Sequence, residues 1–233
     1  MSLTIDLWVW NLDVDDTERK RLTRFLSNEE LSRIERFVFE HDRKRFKVCR
    51  GRAREILGTQ LSCPPSELHF DYSPNGKPSV RGTPVHFNVS HSHGVAAMAL
   101  SERFELGADI ERIRPLEIEI ADRFFSPREV EALRRLPSAE QPLAILRCWT
   151  RKEAIVKAMG KGLSHSLQSF DVSVAEDEPV VNRLAGDPDP TNNWQLADFT
   201  PTECYVGTIA CRTGGISLAV RKRYQSDRRR AWR

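Results

Sequence analysis

The spacing of apolar residues predicts a strand followed by a long helical region at the start of the chain. Apolar and polar residues alternate over residues 1–10, which is typical of a β-strand. The helical pattern occupies residues 27–57, in one or two pieces. Ser27 is the expected N-cap, with Glu30 completing a capping box, and Gly58 is the expected stop.

Short strands are predicted for the remainder of the first half. Prolines within 63–84 indicate turns between short strands. Residues 86–89 and 95–100 are predicted as strands, and the polar residues 90–94 as the turn between them. Residues 101–105 are the best candidate for a boundary.

The second half again combines strands with helices. A strand is predicted over 106–113. Ser126 opens a helix, because Glu129 three residues later completes a capping box. A second helix is predicted over 142–159, ending at Gly160. Further strands are predicted at 170–174, 194–199, 204–211 and 216–220, with a polar, proline-rich loop at 175–193.

Each half thus holds strands and one main helical region, which predicts an α+β fold and permits two related subdomains. We assign 1–104 to an N-terminal subdomain, 105–220 to a C-terminal subdomain and 221–233 to a basic, disordered tail. The chain has 36 basic and 33 acidic residues, a net charge of +3, and the tail carries much of the excess. A solvated tail is the expected interpretation, and contact with nucleic acid or an acidic partner is the alternative.

Composition narrows the class of protein. The chain is 39% hydrophobic and 30% charged, as in an ordinary soluble globular protein. Its five cysteines are scattered and never spaced C-x-x-C, which predicts reduced thiols and a cytoplasmic location. No apolar run is long enough to span a bilayer, so we expect no membrane association.

Two carboxylates share one face of the predicted strand at 106–113. Residues two apart in a strand point the same way, so Asp109 and Glu111 lie side by side. Neighbouring carboxylates repel each other unless a cation or basic groups lie between them. For an isolated D-x-E pattern, a solvated strand face is the simpler interpretation.

The helix at 142–159 supplies a third carboxylate. At about 100° per residue, Glu153 and Lys157 are neighbours on a largely apolar face that also holds Trp149. A surface ion pair would normally lie on the polar side of a helix, so this pair indicates a site at an interface. Three carboxylates form an oxygen-rich site suited to Mg²⁺, and the lysine is placed to neutralise phosphate charge.

These residues lie in motifs that resemble those of the 4′-phosphopantetheinyl transferase superfamily, larger (Sfp) type, which has two pseudo-symmetric halves in one chain. Residues 107–111 resemble the block G-x-D-x-E. Residues 149–157 resemble W-x-x-K-E-x-x-x-K, and 160–163 resemble the G-x-G-L that follows it. Three more motifs match in family order: G-K-P at 76–78, F-N-x-S-H-S at 87–92 and R-F-F-S at 123–126.

The resemblance implies transfer of the 4′-phosphopantetheine arm from coenzyme A to a serine of an apo acyl or peptidyl carrier protein. The second product is 3′,5′-adenosine bisphosphate, and the active site lies at the interface of the subdomains. By resemblance, Asp109, Glu111 and Glu153 hold Mg²⁺ against the pyrophosphate. Glu153 is also the base that accepts the serine proton. Lys157 neutralises or protonates the leaving group, and Asp109 and Lys157 both border coenzyme A.

The N-terminal subdomain is expected to hold the rest of coenzyme A. By resemblance, Ser90 and His91 contact its phosphates, and His91 is also counted as catalytic. Gly76, Lys77 and Pro78 would line the adenine side. For the ribose 3′-phosphate we expect Arg45 first and Arg50 second, from an arginine-rich helical region. An arginine on a solvated helix face is the alternative for each, and the chain departs from the family in having Glu30 at a position that is often basic.

Two other function classes remain open from the residues. A metal-dependent nuclease or phosphohydrolase would use the same carboxylates and Lys157. A non-enzymatic binding module would use the basic tail and the arginine-rich helix. The transferase interpretation predicts a monomer whose partners are coenzyme A and the carrier, with no nucleic acid.

Overall fold

The chain is described by a computed structural model that covers residues 3–162, 165–174 and 178–223. The helices are α1 (Asp16–Thr23), α2 (Asn28–Ile34), α3 (Glu40–Leu61), α4 (Glu119–Phe124), α5 (Pro127–Arg134), α6 (Gln141–Met159) and α7 (Pro190–Asn193). The strands are β1 (Leu3–Asn11), β2 (Phe70–Tyr72), β3 (Pro78–Val80), β4 (His86–Ser92), β5 (Val95–Ser101), β6 (Leu106–Arg112), β7 (Phe170–Val172), β8 (Val181–Leu184), β9 (Trp194–Phe199), β10 (Tyr205–Arg212) and β11 (Leu218–Arg223).

Two sheets with the same strand order define two similar halves, which confirms the predicted α+β fold. In the N-terminal half, β1 pairs antiparallel with β5, and β5 pairs antiparallel with β4. In the C-terminal half, β6 pairs antiparallel with β10, and β10 pairs antiparallel with β9. These three strands of each half are therefore ordered first, last, middle, and each half has one long helix, α3 or α6. Two short hairpins, β2–β3 and β7–β8, accompany the sheets.

A third hydrophobic cluster joins the two halves. Besides one core under α3 and one under α6, buried residues of both sheets pack together, among them Ile5, Ala97, Ala108 and Ile209. Strand β6 contributes one alternating face to this cluster, as period-two spacing predicts. Its other face is turned toward α6 and carries the carboxylates.

The predicted helix boundaries are confirmed where a capping residue marks them. Ser27 and Ser126 each form a complete capping box, and α6 ends at Gly160, whose φ is +63°. The predicted stop at Gly58 is wrong, because α3 continues to Leu61. A Cβ at Gly58 would come within 2.7 Å of the Cys63 carbonyl oxygen, so glycine serves a close approach there instead.

Other elements differ from the prediction. Helices α1 and α4 carry no strong periodic signal and were not predicted. Strand β8 and helix α7 lie inside the region predicted as a loop, residues 175–193, of which 175–177 are outside the described residues. The side chain of Asp189 caps α7 by accepting a hydrogen bond from the Asn192 amide. No helix in the described part of the chain is both long and apolar enough to cross a membrane.

The predicted tail is wrong for its first three residues, which complete β11. This strand pairs in parallel with β1 and is the edge strand of the N-terminal sheet, whose order is β11-β1-β5-β4. Asp6 on β1 explains the pairing, because its buried carboxylate accepts hydrogen bonds from Arg221 and Arg223. Residues 224–233 of the predicted tail lie outside the described residues. The division at 104–105 stays a prediction.

Glu30 links α2 to α3 through a buried ion pair. Its carboxylate accepts from Arg54 Nε at 2.6 Å and Arg50 Nε at 2.5 Å, while completing the Ser27 capping box. Arg54 is only 2% exposed. Burial alone would raise the pKa of Glu30, but Arg50, the Ser27 amide and Arg54 together hold it below its usual value.

Replacing Glu30 by glutamine is expected to destabilise the protein by about 3 kcal/mol at pH 7, because Arg54 loses its buried counter-charge. A lowered pKa means that the Glu30 contribution is present above the unfolded-state pKa and is lost as the pH falls through the folded-state pKa. The difference between wild type and variant should therefore shrink in acid. Urea unfolding at pH 7 and pH 4 measures it, with Glu29→Gln, an exposed neighbour, as control. An equal difference at both pH values would contradict this account.

Candidate active site

Strand β4 contacts β6 through a row of polar side chains. Asn88 accepts a hydrogen bond from the backbone of β6 at 2.9 Å. Ser90 donates to Asp109 Oδ1 at 2.8 Å, and Ser92 donates to Glu111 Oε2 at 2.8 Å. These three residues are two apart in sequence and so share one face of β4. The row brings the S-H-S motif of one half against the paired carboxylates of the other.

The predicted turn at residues 90–94 is therefore too long. Strand β4 continues through Ser92, and only His93 and Gly94 form the turn, with His93 at φ +49°. The polar residues in this stretch indicated a turn because polar alternation normally means solvent. Here the polar face meets carboxylates, and Ser90 and Ser92 are both buried.

Helix α6 lies unusually close to β6, and Gly107 makes this possible. A Cβ at Gly107 would come within 2.0 Å of the Ala154 carbonyl oxygen and 2.4 Å of the Ala158 amide nitrogen. Both contacts are with the helix backbone, which cannot move aside. The glycine of the G-x-D-x-E block thus sets the distance between the strand and the helix that carry the charged residues.

The exposed stripe of α6 faces the row of β4 and β6 side chains. Trp149, Glu153 and Lys157 follow at intervals of four residues and are half-buried between mostly buried neighbours. The Lys157 ammonium donates to Asp109 Oδ1 at 2.5 Å and to Ser90 Oγ at 3.1 Å. The predicted neighbours Ser90, Asp109 and Lys157 are therefore in direct contact.

The two remaining carboxyl groups have raised pKa values. For Glu153, burial is the main cause, with Asp109 and Glu111 adding repulsion and Lys157 opposing it. For Glu111, burial again comes first, opposed by the hydrogen bond from Ser92. A raised carboxyl pKa means that negative charge accumulates here at a cost, which a bound cation would offset.

The carboxylates fit a magnesium ion by their chemistry. Asp109 Oδ2 is buried and has no hydrogen-bond partner among the described residues. An orphaned anionic oxygen beside two further carboxyl groups is suited to a hard cation that keeps water or phosphate in its shell. Within residues 3–162, 165–174 and 178–223, no three His, Cys, Asp or Glu side chains are placed so that they could hold a metal ion as they stand. Lys157 is the cation that contacts Asp109.

The His91 side chain lies on the opposite face of β4 from that of Ser90, because consecutive residues of a strand point to opposite faces. Its side chain is exposed, yet protein atoms crowd the ring and, with the positive charge of Lys157, hold the pKa of His91 below its usual value. Arg45 and Asp109 also act on it electrostatically. A neutral imidazole is therefore favoured at pH 7, so His91 offers a hydrogen bond rather than a full charge.

The two arginines predicted for the ribose phosphate lie in different surroundings. Arg45 binds Asp13 through two hydrogen bonds of 2.8 and 2.9 Å, beside Gly94. Arg50 donates to Glu30 and to the Tyr72 hydroxyl and lines a separate cavity of 610 Å³. Only Arg45 is close enough to influence His91.

The G-K-P turn contacts the end of α6. Lys77 Nζ donates to the Ala158 carbonyl at 3.0 Å and to Glu105 at 2.8 Å, and Asn75 donates to the Gly160 carbonyl at 2.9 Å. These are carbonyls that a helix end leaves without internal partners. Gly76 has φ +81°, and Pro78 begins β3. The turn of the N-terminal half therefore caps the helix that carries Glu153 and Lys157.

Sequence reasoning missed three contributors to this arrangement. Ser92 holds Glu111, and its spacing of two from Ser90 was the signal. Asp13 holds Arg45, and Asn75 caps α6, but neither has a local pattern that indicates its partner. Leu163 of the G-x-G-L motif lies outside the described residues.

A carboxylate cluster with a lysine in contact, flanked by a histidine and an arginine at the junction of two halves, is typical of enzymes that transfer phosphate-linked groups with a metal ion. Comparisons with known proteins identify the family. A model of the 4′-phosphopantetheinyl transferase superfamily matches residues 105–210, and a model of the N-terminal region of 4′-phosphopantetheinyl transferase matches residues 10–103.

Named relatives agree along most of their length. The 4′-phosphopantetheinyl transferase HetI of Nostoc sp. is 35% identical over 90% of this chain and 88% of its own. The corresponding enzyme psf-1 of Bacillus pumilus is 36% identical over 73% and 74%. Sfp of Bacillus subtilis is 33% identical over 72% and 75%. The chain therefore belongs to the 4′-phosphopantetheinyl transferase superfamily and is an enzyme of that class.

Among solved structures, the holo-[acyl-carrier-protein] synthase of Thermotoga maritima covers 46% of this chain and 62% of its own, at 16% identity and a TM-score of 0.37. That likeness is too low to compare sites. Nothing in these matches supports the alternative of a nuclease or phosphohydrolase.

Replacing Gly107 by alanine is expected to separate α6 from β6, because the added methyl group meets backbone atoms that cannot yield. Overpacking of this kind costs about 1–3 kcal/mol. We expect a lower melting temperature together with a loss of transferase activity, measured by thermal unfolding and turnover.

Gly186→Ala is the matched control. Gly186 has φ +82° and open space around its Cβ position, so alanine there suffers only backbone strain of about 1 kcal/mol. Its activity should stay at the wild-type level. Equal turnover in both variants would show that the close approach at Gly107 does not set the site.

Proposed function

We propose that this transferase moves the 4′-phosphopantetheine arm of coenzyme A onto a serine of an apo acyl or peptidyl carrier protein. The observation that carries the proposal is the contact of Lys157 with Asp109 and Ser90, which unites three family motifs at one point. The serine oxygen attacks the β-phosphorus of the pyrophosphate. The bond to the bridging oxygen breaks, and 3′,5′-adenosine bisphosphate leaves.

Asp109, Glu111 and Glu153 would hold Mg²⁺, which when bound supplies positive charge to the pyrophosphate. Glu153 accepts the proton of the attacking serine, directly or through water. Its raised pKa suits this role, because a general base works best when its pKa approaches the working pH. Lys157 neutralises the charge that develops on the leaving phosphate.

The N-terminal half is proposed to bind the nucleotide part of coenzyme A. Ser90 orients Lys157 and lies beside the phosphates. His91, with its lowered pKa, donates a hydrogen bond to a phosphate oxygen as a neutral ring. Gly76, Lys77 and Pro78 line the adenine side while Lys77 caps α6.

Arg45 is the first choice for the ribose 3′-phosphate. Two of its nitrogens are held by Asp13, which orients the guanidinium, and its charge acts on His91. Arg50 is a weaker choice, because Glu30 and Tyr72 already occupy its Nε and Nη2.

The carrier is proposed to dock on residues 113–125 of the C-terminal half. Leu116, Ile118 and Phe124 pack partly against the core and leave partly exposed apolar surface. Arg114 is exposed at the start of this segment, which suits a partner with an acidic rim. The cytoplasmic location, the monomeric state and the absence of nucleic-acid binding stay predictions.

The function is tested by incubating an apo carrier protein with the enzyme, coenzyme A and Mg²⁺. We expect the carrier to gain the mass of one phosphopantetheine arm, detected by mass spectrometry. Asp109→Ala and Glu153→Gln should abolish the gain, whereas Glu102→Ala, an exposed carboxylate outside the site and outside residues 113–125, should keep it. Wild-type turnover by either active-site variant under saturating magnesium would refute the assignment.

The same Glu153→Gln variant should not melt below the wild type at pH 7 without metal. A raised pKa means that the Glu153 contribution to stability is present below the unfolded-state pKa and is lost as the pH rises through the folded-state pKa. At pH 7 the ionised carboxylate therefore opposes folding, and glutamine removes that charge. A variant that melts well below the wild type would show that Glu153 has a structural role.

Arg45→Ala is expected to weaken coenzyme A binding by about 1.5–3 kcal/mol, the range for a charged hydrogen bond. Binding of dephospho-coenzyme A, which lacks the 3′-phosphate, should change far less. Calorimetric titration of both ligands measures the difference. Equal losses for both would indicate that Arg45 is structural.

A further inference from the structure

The lysine that the W-x-x-K-E-x-x-x-K motif specifies before its glutamate has no part in the mechanism above. Lys152 precedes Glu153 and is completely buried, with 0% of its surface exposed. Its ammonium forms an ion pair with Glu129 at 2.7 Å and donates to the Phe170 carbonyl at 2.5 Å. The same nitrogen lies 4.2 Å from the centre of the Phe170 ring.

Glu129 joins three elements at this point. As the third residue of α5, it accepts a hydrogen bond from the Ser126 amide at 2.9 Å and completes the capping box. Its other oxygen accepts from the Val172 amide of β7 at 2.8 Å as well as from Lys152. Glu129 is 2% exposed, so α5, β7 and α6 meet at one buried, fully bonded carboxylate.

Stability alone does not explain a charged pair here. The surrounding cluster is apolar, with Phe125, Ile155 and Phe170 all buried. Taking two charges out of water offsets most of their mutual attraction, and replacing a buried ion pair by apolar residues of similar size is often neutral or stabilising. What an ion pair adds is a fixed orientation of the groups that carry it, because its hydrogen bonds form in one geometry only.

The orientation of the Lys152–Glu129 pair affects the active site through the rotation of α6. Lys152 and Glu153 are consecutive on α6, so their side chains leave the helix about 100° apart. With a side-chain radius of about 5–6 Å, a rotation of about 10° moves the Glu153 carboxylate by about 1 Å. Gly107 sets how close α6 lies to β6, and the buried pair sets how far α6 is turned about its own axis.

We propose that Lys152 and Glu129 are positioning residues, whose buried ion pair fixes the rotation of α6 and thereby the places of Glu153 and Lys157. This inference rests on the proposed function. Neither residue touches a reacting group. The pair affects the rate of the chemical step because it sets the positions of Glu153 and Lys157. Binding of coenzyme A through the N-terminal half does not depend on it.

The test is the double variant Lys152→Met with Glu129→Gln. It removes both charges and leaves no buried ion without a partner, and glutamine can still complete a capping box. We expect a melting temperature close to wild type, a kcat lowered on the order of 10–100-fold, and nearly unchanged KM for coenzyme A. The magnesium concentration for half-maximal activity should rise, because the Glu153 carboxylate is displaced.

A variant that lowers stability without touching the site is the control. Arg52→Met removes a buried arginine of the N-terminal half that pairs with Glu18 and Glu55, outside the cleft. Its melting temperature should fall while kcat, measured well below the transition, stays at the wild-type value. The milder Glu129→Asp variant, which keeps both charges and shortens the reach of the carboxylate, supplies the test if the double variant does not fold. It should show a smaller loss of kcat in the same sense.

Wild-type kcat and magnesium dependence in the folded double variant, or in Glu129→Asp if the double variant is unfolded, would overturn the inference and leave the pair a structural one. Loss of kcat in Arg52→Met to the same degree would overturn it too. Failure of the wild-type enzyme itself to modify a carrier would instead overturn the proposed function. The two failures are therefore distinguishable in one set of assays.

Discussion

The close approach of α6 to β6 is the constraint on which the rest of the structure depends. Without a side chain at Gly107, the helix backbone rests directly on the strand, and Lys157 reaches Asp109. The other hydrogen bonds and ion pairs of the helix hold it in this position. Asn75 and Lys77 cap its far end, Arg151 binds Asp198 and the Ser173 carbonyl on one flank, and Lys152 binds Glu129 on the other. The side chains of the five consecutive residues 149–153 thus point to different sides of one helix.

Because each of these residues contacts a different part of the structure, the spacing of the motif carries information about packing. At 100° per residue, a run of five covers the full circumference of a helix, so each position has its own neighbour. Trp149 packs edge-on against Phe124, with ring centres 5.2 Å apart, and Thr150 contacts Thr208 at 3.0 Å. Among residues 149–153, Glu153 is the one that interacts electrostatically with Asp109 and Glu111. A motif of this kind records packing as much as chemistry, and most of its residues never meet a ligand.

The fold class and the capped helices were predictable from sequence because they rest on short-range periodicity and capping patterns. The meeting of Ser90 with Asp109 was implied only by the resemblance to the family. Alternation places Asp109 and Glu111 on one face, and a helical period places Glu153 beside Lys157. The partners of Arg45 and Arg50 were not predictable, since Asp13 and Tyr72 are brought to them by chain segments without a pattern. The end of β4 was misjudged for a related reason. A polar strand face that meets carboxylates looks the same in sequence as one that meets water.

The pairing of β11 with β1 has a consequence for how the molecule is assembled. Asp6 is 5% exposed, and the two arginines that bind its carboxylate, Arg221 and Arg223, lie more than two hundred residues later in the chain. Until that last strand arrives, the N-terminal half holds a charged group without its partners and an uncovered strand edge. The two halves look alike, yet the first cannot finish folding before the second has been synthesised. Despite its internal symmetry, the enzyme completes its N-terminal sheet only with a strand that follows the C-terminal half in sequence.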